Sequence, residues 1–117
     1  MEKEQQKDLK TINPSTGKTI KKYSLMTDKQ ADDAVKKCHD AFMDWRLVSH
    51  KERGKIIKAI GKGLKENAEE LSELMTTEMG KLLKQSKQEV ELCAGICDWT
   101  AANGPETLKD EERELPD

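Results

Sequence analysis

The sequence predicts a mainly α chain, an N-terminal β-hairpin followed by about four amphipathic helices. Two observations carry this reading. Beyond residue 27 the apolar residues recur at spacings of three and four, the period of one helix face. Before it, two short β-favouring pieces flank Asn13-Pro14-Ser15-Thr16-Gly17, a run of turn formers. A third observation limits the core. Hydrophobic residues make up 34% of the 117 and charged residues 38%, against roughly 45–50% and 25% in a typical globular domain. The length allows one domain at most.

Residues 1–10 are expected to form a disordered start, because charges and amides there leave little to build a core. Residues 11–105 hold the hairpin and the helices. In the turn, Pro14 presets φ, the Asn13 side chain can bond ahead to the backbone, and Gly17 can take a positive φ. Thr27 with Gln30 fits a capping box, and Ala31, Ala34, Val35, Cys38, Phe42 and Trp45 form the first stripe. Ser49 with Glu52 reads as a second box, followed by Ile56, Ile57, Ile60 and Leu64. Gly61 and Gly63 weaken that helix by roughly 1 kcal/mol each relative to Ala. Asn67 is the expected cap of a third helix carrying Leu71, Leu74 and Met75, with Gly80 as its stop. A fourth runs from about Leu82 to Asn103, with Val90, Cys93, Ala94, Cys97 and Ala101 on one face, and Gly104-Pro105 is expected to end it. Residues 106–117, with six acids and two bases, read as an acidic extended tail.

Several classes of function are disfavoured. No apolar run approaches the ~20 residues that span a bilayer, and the charged start has no secretory h-region. A net charge of −2 makes no case for nucleic-acid binding. The odd set of Cys38, Cys93 and Cys97 suits a reducing cytoplasm better than a disulfide framework.

The parts of an active site are equally hard to find. The glycines are scattered, with neither GxGxxG nor a Walker A loop, and no HExxH occurs. Cys38, His39, Cys93 and Cys97 could be imagined around a metal, but all three cysteines fall on apolar stripes, where a thiol acts as a small hydrophobe. For a Cys–His nucleophile, His39 and His50 are the only bases of that type, and neither cysteine face shows a basic or helix-N-terminal setting that would lower a thiol pKa. Lys51, Lys55, Lys58, Lys62 and Lys65 form a basic row at helical spacing, either a solvated face or a surface for an acidic partner.

The residues do carry a resemblance. In order along the chain stand Ile12-Asn13-Pro14-Ser15-Thr16-Gly17, Ala41-Phe42-Met43-Asp44-Trp45-Arg46, Glu52-Arg53-Gly54-Lys55-Ile56-Ile57, Glu66-Asn67-Ala68-Glu69-Glu70-Leu71 and Thr77-Glu78-Met79-Gly80-Lys81. Glu89-Val90, Trp99 and Asn103-Gly104-Pro105 complete the set. Together they resemble the N-terminal segment of the NAD(P)-dependent aldehyde dehydrogenases, on the succinate-semialdehyde dehydrogenase branch. The resemblance implies a piece of a larger α/β fold. There, a hairpin and helices pack on a cofactor-binding domain and border the substrate entrance. It implies NAD or NADP in the full-length family and no cofactor site in these residues.

It carries over no catalytic residue, because the family's nucleophilic Cys, general-base Glu and oxyanion-hole Asn lie outside the matched segment. It places Gln88 and Leu92 on the wall of the substrate entrance. The expected partners are a second copy of the chain, meeting through the first and fourth helices near Phe42, Val90 and Cys97, or a dehydrogenase chain. The alternative is a helical interaction module that pairs with such an enzyme.

Overall fold

The computed structural model describes residues 8–115. Strand β1 (Asp8–Ile12) pairs antiparallel with β2 (Thr19–Ser24), from Asp8 opposite Ser24 to Ile12 opposite Thr19, with an irregularity between Thr11 and Ile12. Helices α1 (Asp28–Trp45), α2 (His50–Glu66), α3 (Ala68–Met79) and α4 (Leu83–Thr107) follow. The hairpin and the four helices stand where the sequence puts them. The first strand starts three residues early: Asp8, Leu9 and Lys10 belong to β1, and pairing with β2 rather than burial orders them. Residues 1–7 of the expected disordered start, and residues 116–117 of the tail, lie outside the described residues.

The turn forms as its residues dictate. The Asn13 carbonyl accepts from the Gly17 amide at 2.8 Å, and its side-chain oxygen accepts from the Ser15 amide at 2.9 Å. Gly17 closes the turn at φ 69°, where an L side chain is strained. Thr27 and Gln30 make both halves of the capping box. The second box is half made. The Ser49 hydroxyl accepts from the Glu52 amide, while the Glu52 carboxylate turns outward to Lys55 at 2.6 Å. Asn67 does not cap α3 with its side chain. Its amide nitrogen donates to the Gly63 carbonyl at 2.8 Å and closes the end of α2 instead. Only one residue separates the two helices, and the Gly63 carbonyl accepts both the Asn67 backbone amide at 3.1 Å and its side chain.

Gly104-Pro105 does not end α4, which continues to Thr107. Proline resists a helical residue before it chiefly through that residue's Cβ and N–H, and glycine removes the Cβ. Pro105 has no N–H for the Ala101 carbonyl, and that carbonyl faces Gly54 of α2. The helix closes when Leu108 donates to Gly104 at 3.0 Å.

The core lies where α4 meets α2 and α3, and its residues are small. Gly54, Gly61, Ser72, Ser86, Val90 and Ala94 are buried. A Cβ built on Gly54 would sit 3.2 Å from the Ala101 carbonyl oxygen. One built on Gly61 would sit 2.8 Å from the Cys97 Cβ and 3.2 Å from the Ala94 carbonyl. Rising residues on α2 thus meet falling residues on α4, and two antiparallel helices touch backbone to backbone at glycines seven apart. At the α3 contact the Thr76 and Ser86 hydroxyls share a 3.1 Å hydrogen bond, and the Ser72 hydroxyl donates to the Ala68 carbonyl at 2.5 Å.

The rest of the chain is splayed. Helix α1 has no buried residue, and Val35, Phe42 and Trp45 of its stripe are exposed. The radius of gyration is 20.9 Å, where a compact domain of this length would have roughly 13 Å. Burial is therefore confined to the packing of α2, α3 and α4 and does not reach the stripe of α1. No helix among the described residues is long and apolar enough to cross a membrane.

Candidate functional site

Helix α4 carries two faces. Ser86, Val90 and Ala94, continued by half-buried Cys97 and Ala101, turn inward. Gln88 and Leu92, four residues apart, lie on the outer side with Ile96 and Trp99, and all four are exposed. Leu92 and Trp99 each keep 64% of their surface. Gln88 lines a shallow depression of about 390 Å³ with Leu83, Lys84, Lys87 and Glu91, and Leu92 lies one turn further along. This is an open apolar wall and not an enclosed pocket. It also corrects the expected interface. Val90 is 4% exposed and is used up inside the bundle, so no partner can reach it. Phe42 on α1 remains open at 54%.

The other surface of interest is basic. The five lysines of α2 border a groove against the C-terminal half of α4. Its two adjoining stretches have volumes of about 530 and 460 Å³. Gly54, Ala59, Ala101, Ala102 and Pro105 make the floor. Asp98 is the acid in this lining. Lys65 donates to it at 2.6 Å, and that hydrogen bond and charge, with Lys58 nearby, hold its carboxyl below the usual range.

The cysteines play no visible chemical part. Cys38 and Cys93 are exposed, Cys97 packs on Gly61, and His39 and His50 are exposed on α1 and at the start of α2. Among the described residues no cluster of three or more His, Cys, Asp or Glu side chains could hold a metal.

The motif pieces instead join the elements. The Arg53 guanidinium donates to the Trp45 and Arg46 carbonyls at 2.9 and 3.1 Å and lies 5.3 Å from the Trp45 ring centre, clipping the end of α1 to α2. Beside it Gly54 admits α4. Gly80 ends α3 at φ 69°, and a Cβ there would meet Pro14 Cγ at 3.0 Å, so the hairpin turn rests on the end of α3. Lys81 pairs with Glu89 across the α3–α4 link. Glycines at 54 and 61 opposite alanines at 101 and 94 were the available signal for the α2–α4 contact; read singly, they look only like weak points.

This arrangement is that of a known family. The aldehyde dehydrogenase family matches residues 1–116, and the chain belongs to it. Among its relatives, the succinate semialdehyde dehydrogenase [NAD(P)+] Sad of Escherichia coli is 35% identical over 101 residues, 86% of this chain and 22% of that enzyme. The succinate-semialdehyde dehydrogenase [NADP(+)] 1 of Mycobacterium tuberculosis is 37% identical over 101 residues, with the same shares. The crystal structure of succinic semialdehyde dehydrogenase from Streptococcus pyogenes, solved with NADP+, superposes with a TM-score of 0.84 at 31% identity, over 91% of this chain and 24% of that one. The chain thus spans about a fifth of the length of these relatives, and the hairpin with four helices corresponds to their N-terminal segment. The resemblance read from the motifs is borne out.

Proposed function

We propose that these residues serve an NAD(P)-dependent oxidoreductase that converts succinate semialdehyde to its acid in the cytoplasm. They shape the substrate entrance and supply neither a catalytic group nor a cofactor contact. One observation carries this reading. The outer face of α4, from Gln88 and Leu92 to Ile96 and Trp99, is an apolar wall that no other described element covers, in a chain whose relatives are about four times as long. Large uncovered apolar surface marks a place where something else packs or binds. Oxidation of an aldehyde needs a nucleophile and a hydride acceptor. Cys97 is spent on packing, and Cys38 and Cys93 have no base beside them among the hydrogen bonds of the described residues.

The test has two arms. The purified 117-residue chain, given succinate semialdehyde and NAD or NADP, is expected to make no reduced cofactor. Turnover that disappears on mutating a cysteine of this chain would overturn the reading. In an enzyme that contains this segment, Leu92→Ala and Gln88→Ala are expected to raise KM with little change in kcat, because they alter access and not chemistry. A second reading rests on the exposed stripe of α1, Val35 with Phe42 and Trp45. Here the chain is a helical interaction module that binds a dehydrogenase chain or a second copy of itself. Co-purification with such a chain, abolished by Phe42→Asp, is the expected result.

A further inference from the structure

Five lysines on one helix are commonly a solvated face, but here they border a groove. Lys51, Lys55, Lys58, Lys62 and Lys65 run the length of α2, about 21 Å at the helical rise. The floor beneath them is apolar and comes from both helices, Gly54 and Ala59 of α2 and Ala101, Ala102 and Pro105 of α4. Three of the five are paired: Lys65 with Asp98 inside the groove, and Lys55 with Glu52 and Lys62 with Glu66 along α2 itself. Lys51 and Lys58 have no ion-pair partner among the described residues, and Asp98 is already matched. The groove therefore carries a surplus of positive charge at the end formed by Lys51, Lys55, Lys58 and Pro105.

The chain leaves α4 at that same end. Pro105 lines the groove, and two residues later α4 stops at Thr107. Residues 110–115 follow as an exposed segment outside any helix or strand, with four acids and one base. Glu106 pairs with Lys109 and Glu111 with Arg113, which leaves Asp110, Glu112 and Glu114 without ion-pair partners among the described residues. In an extended segment these three share one side and repeat at roughly 6.6 Å. Lys51, Lys55 and Lys58 rise along α2 by roughly 4.5 to 6 Å per step. Six extended residues reach about 20 Å, enough to turn at Leu108-Lys109 and run back along the row.

We propose that the lysine-bordered groove of α2 and α4 is an acidic-segment binding surface, and that its occupant is the chain's own segment 110–115. The tether keeps the effective concentration of that segment high, and the contact is electrostatic, so salt weakens it. This stands apart from the dehydrogenase reading, since it uses neither the outer face of α4 nor the stripe of α1.

Zero-length carbodiimide coupling, which joins a carboxylate to an amine in contact, tests it. The intact chain is prepared as an equal mixture of ¹⁴N and ¹⁵N copies, coupled at low salt, and its links are mapped by mass spectrometry. Isotope-pure links from Asp110, Glu112 or Glu114 to Lys51, Lys55 or Lys58 are expected, falling about fivefold at high salt. Lys58→Glu, at an exposed site, is expected to lower the remaining links to Lys51 and Lys55, and adding Glu112→Lys to restore them. Isotope-mixed links would give the groove to a second copy and overturn the proposal. Absence of links, or links indifferent to salt and to both variants, would overturn it equally.

Discussion

Replacing Gly61 by alanine tests the backbone-to-backbone seam directly. Two effects oppose each other. Alanine is the better helix former, by about 0.8–1.0 kcal/mol in a helix interior. Against this, the new methyl would sit 2.8 Å from the Cys97 Cβ and 3.2 Å from the Ala94 carbonyl oxygen. Neither neighbour is the far end of a flexible side chain, so α2 and α4 must separate. Overpacking of that kind costs about 1–3 kcal/mol. The net expectation is a loss of up to about 2 kcal/mol. Gly63, two residues on, is the internal control. A Cβ there meets nothing within 4 Å, so Gly63→Ala should keep the propensity gain and stabilise by about 0.5–1 kcal/mol. Urea unfolding followed by far-ultraviolet circular dichroism reads both, and the midpoints should move in opposite directions. If Gly61→Ala stabilises as much as Gly63→Ala, the seam does not hold the helices together and the reasoning fails.

Gly80→Ala should destabilise by about 1–2 kcal/mol from the left-handed backbone alone, and further from contact with Pro14; Pro14→Ala in the same chain should recover the second part in urea midpoints. Arg53→Ala should speed amide exchange near Trp45 and cost about 1 kcal/mol, and Arg53→Lys should recover only part of it, because an ammonium can donate to both carbonyls but has no planar face to lay on the ring. The Asp98 carboxyl, held below its ordinary value by Lys65, contributes stability above the unfolded carboxylate range and loses it as pH falls through the lowered value. Lys65→Met should move its NMR titration up toward an ordinary aspartate.

The sequence made the elements legible because their signals are local. The Thr27–Gln30 box, the Asn13–Gly17 turn and the stop at Gly80 each depend on residues within one turn of chain. What it hid depends on distant partners. Gly104-Pro105 reads as a terminator, yet the Ala101 carbonyl that Pro105 leaves unbonded points at Gly54, some fifty positions earlier. Asn67 looks like a cap for the helix after it and instead closes the helix before it. Val90 and Leu92 differ little in hydrophobicity, and the packing of α2 and α3 on α4 leaves one buried and the other exposed. The family was legible from motif order, because those motifs are where elements touch, as Pro14 on Gly80 illustrates. The assignment of Gln88 and Leu92 to an entrance wall rests on resemblance alone, since nothing in their own chemistry distinguishes them from other outward helix residues.

The splayed outline has a practical effect on how the chain behaves on a column. A compact protein with a radius of gyration of 20.9 Å would contain roughly 370 residues. A single copy of this chain would therefore leave a gel-filtration matrix near the position of a globular trimer. Elution volume alone would report an assembly where there is one molecule. Mass from light scattering or sedimentation equilibrium separates the two, and a monomer mass at a trimer's volume would be the hydrodynamic signature of an exposed α1 arm and of a hairpin that touches the three-helix body through its turn.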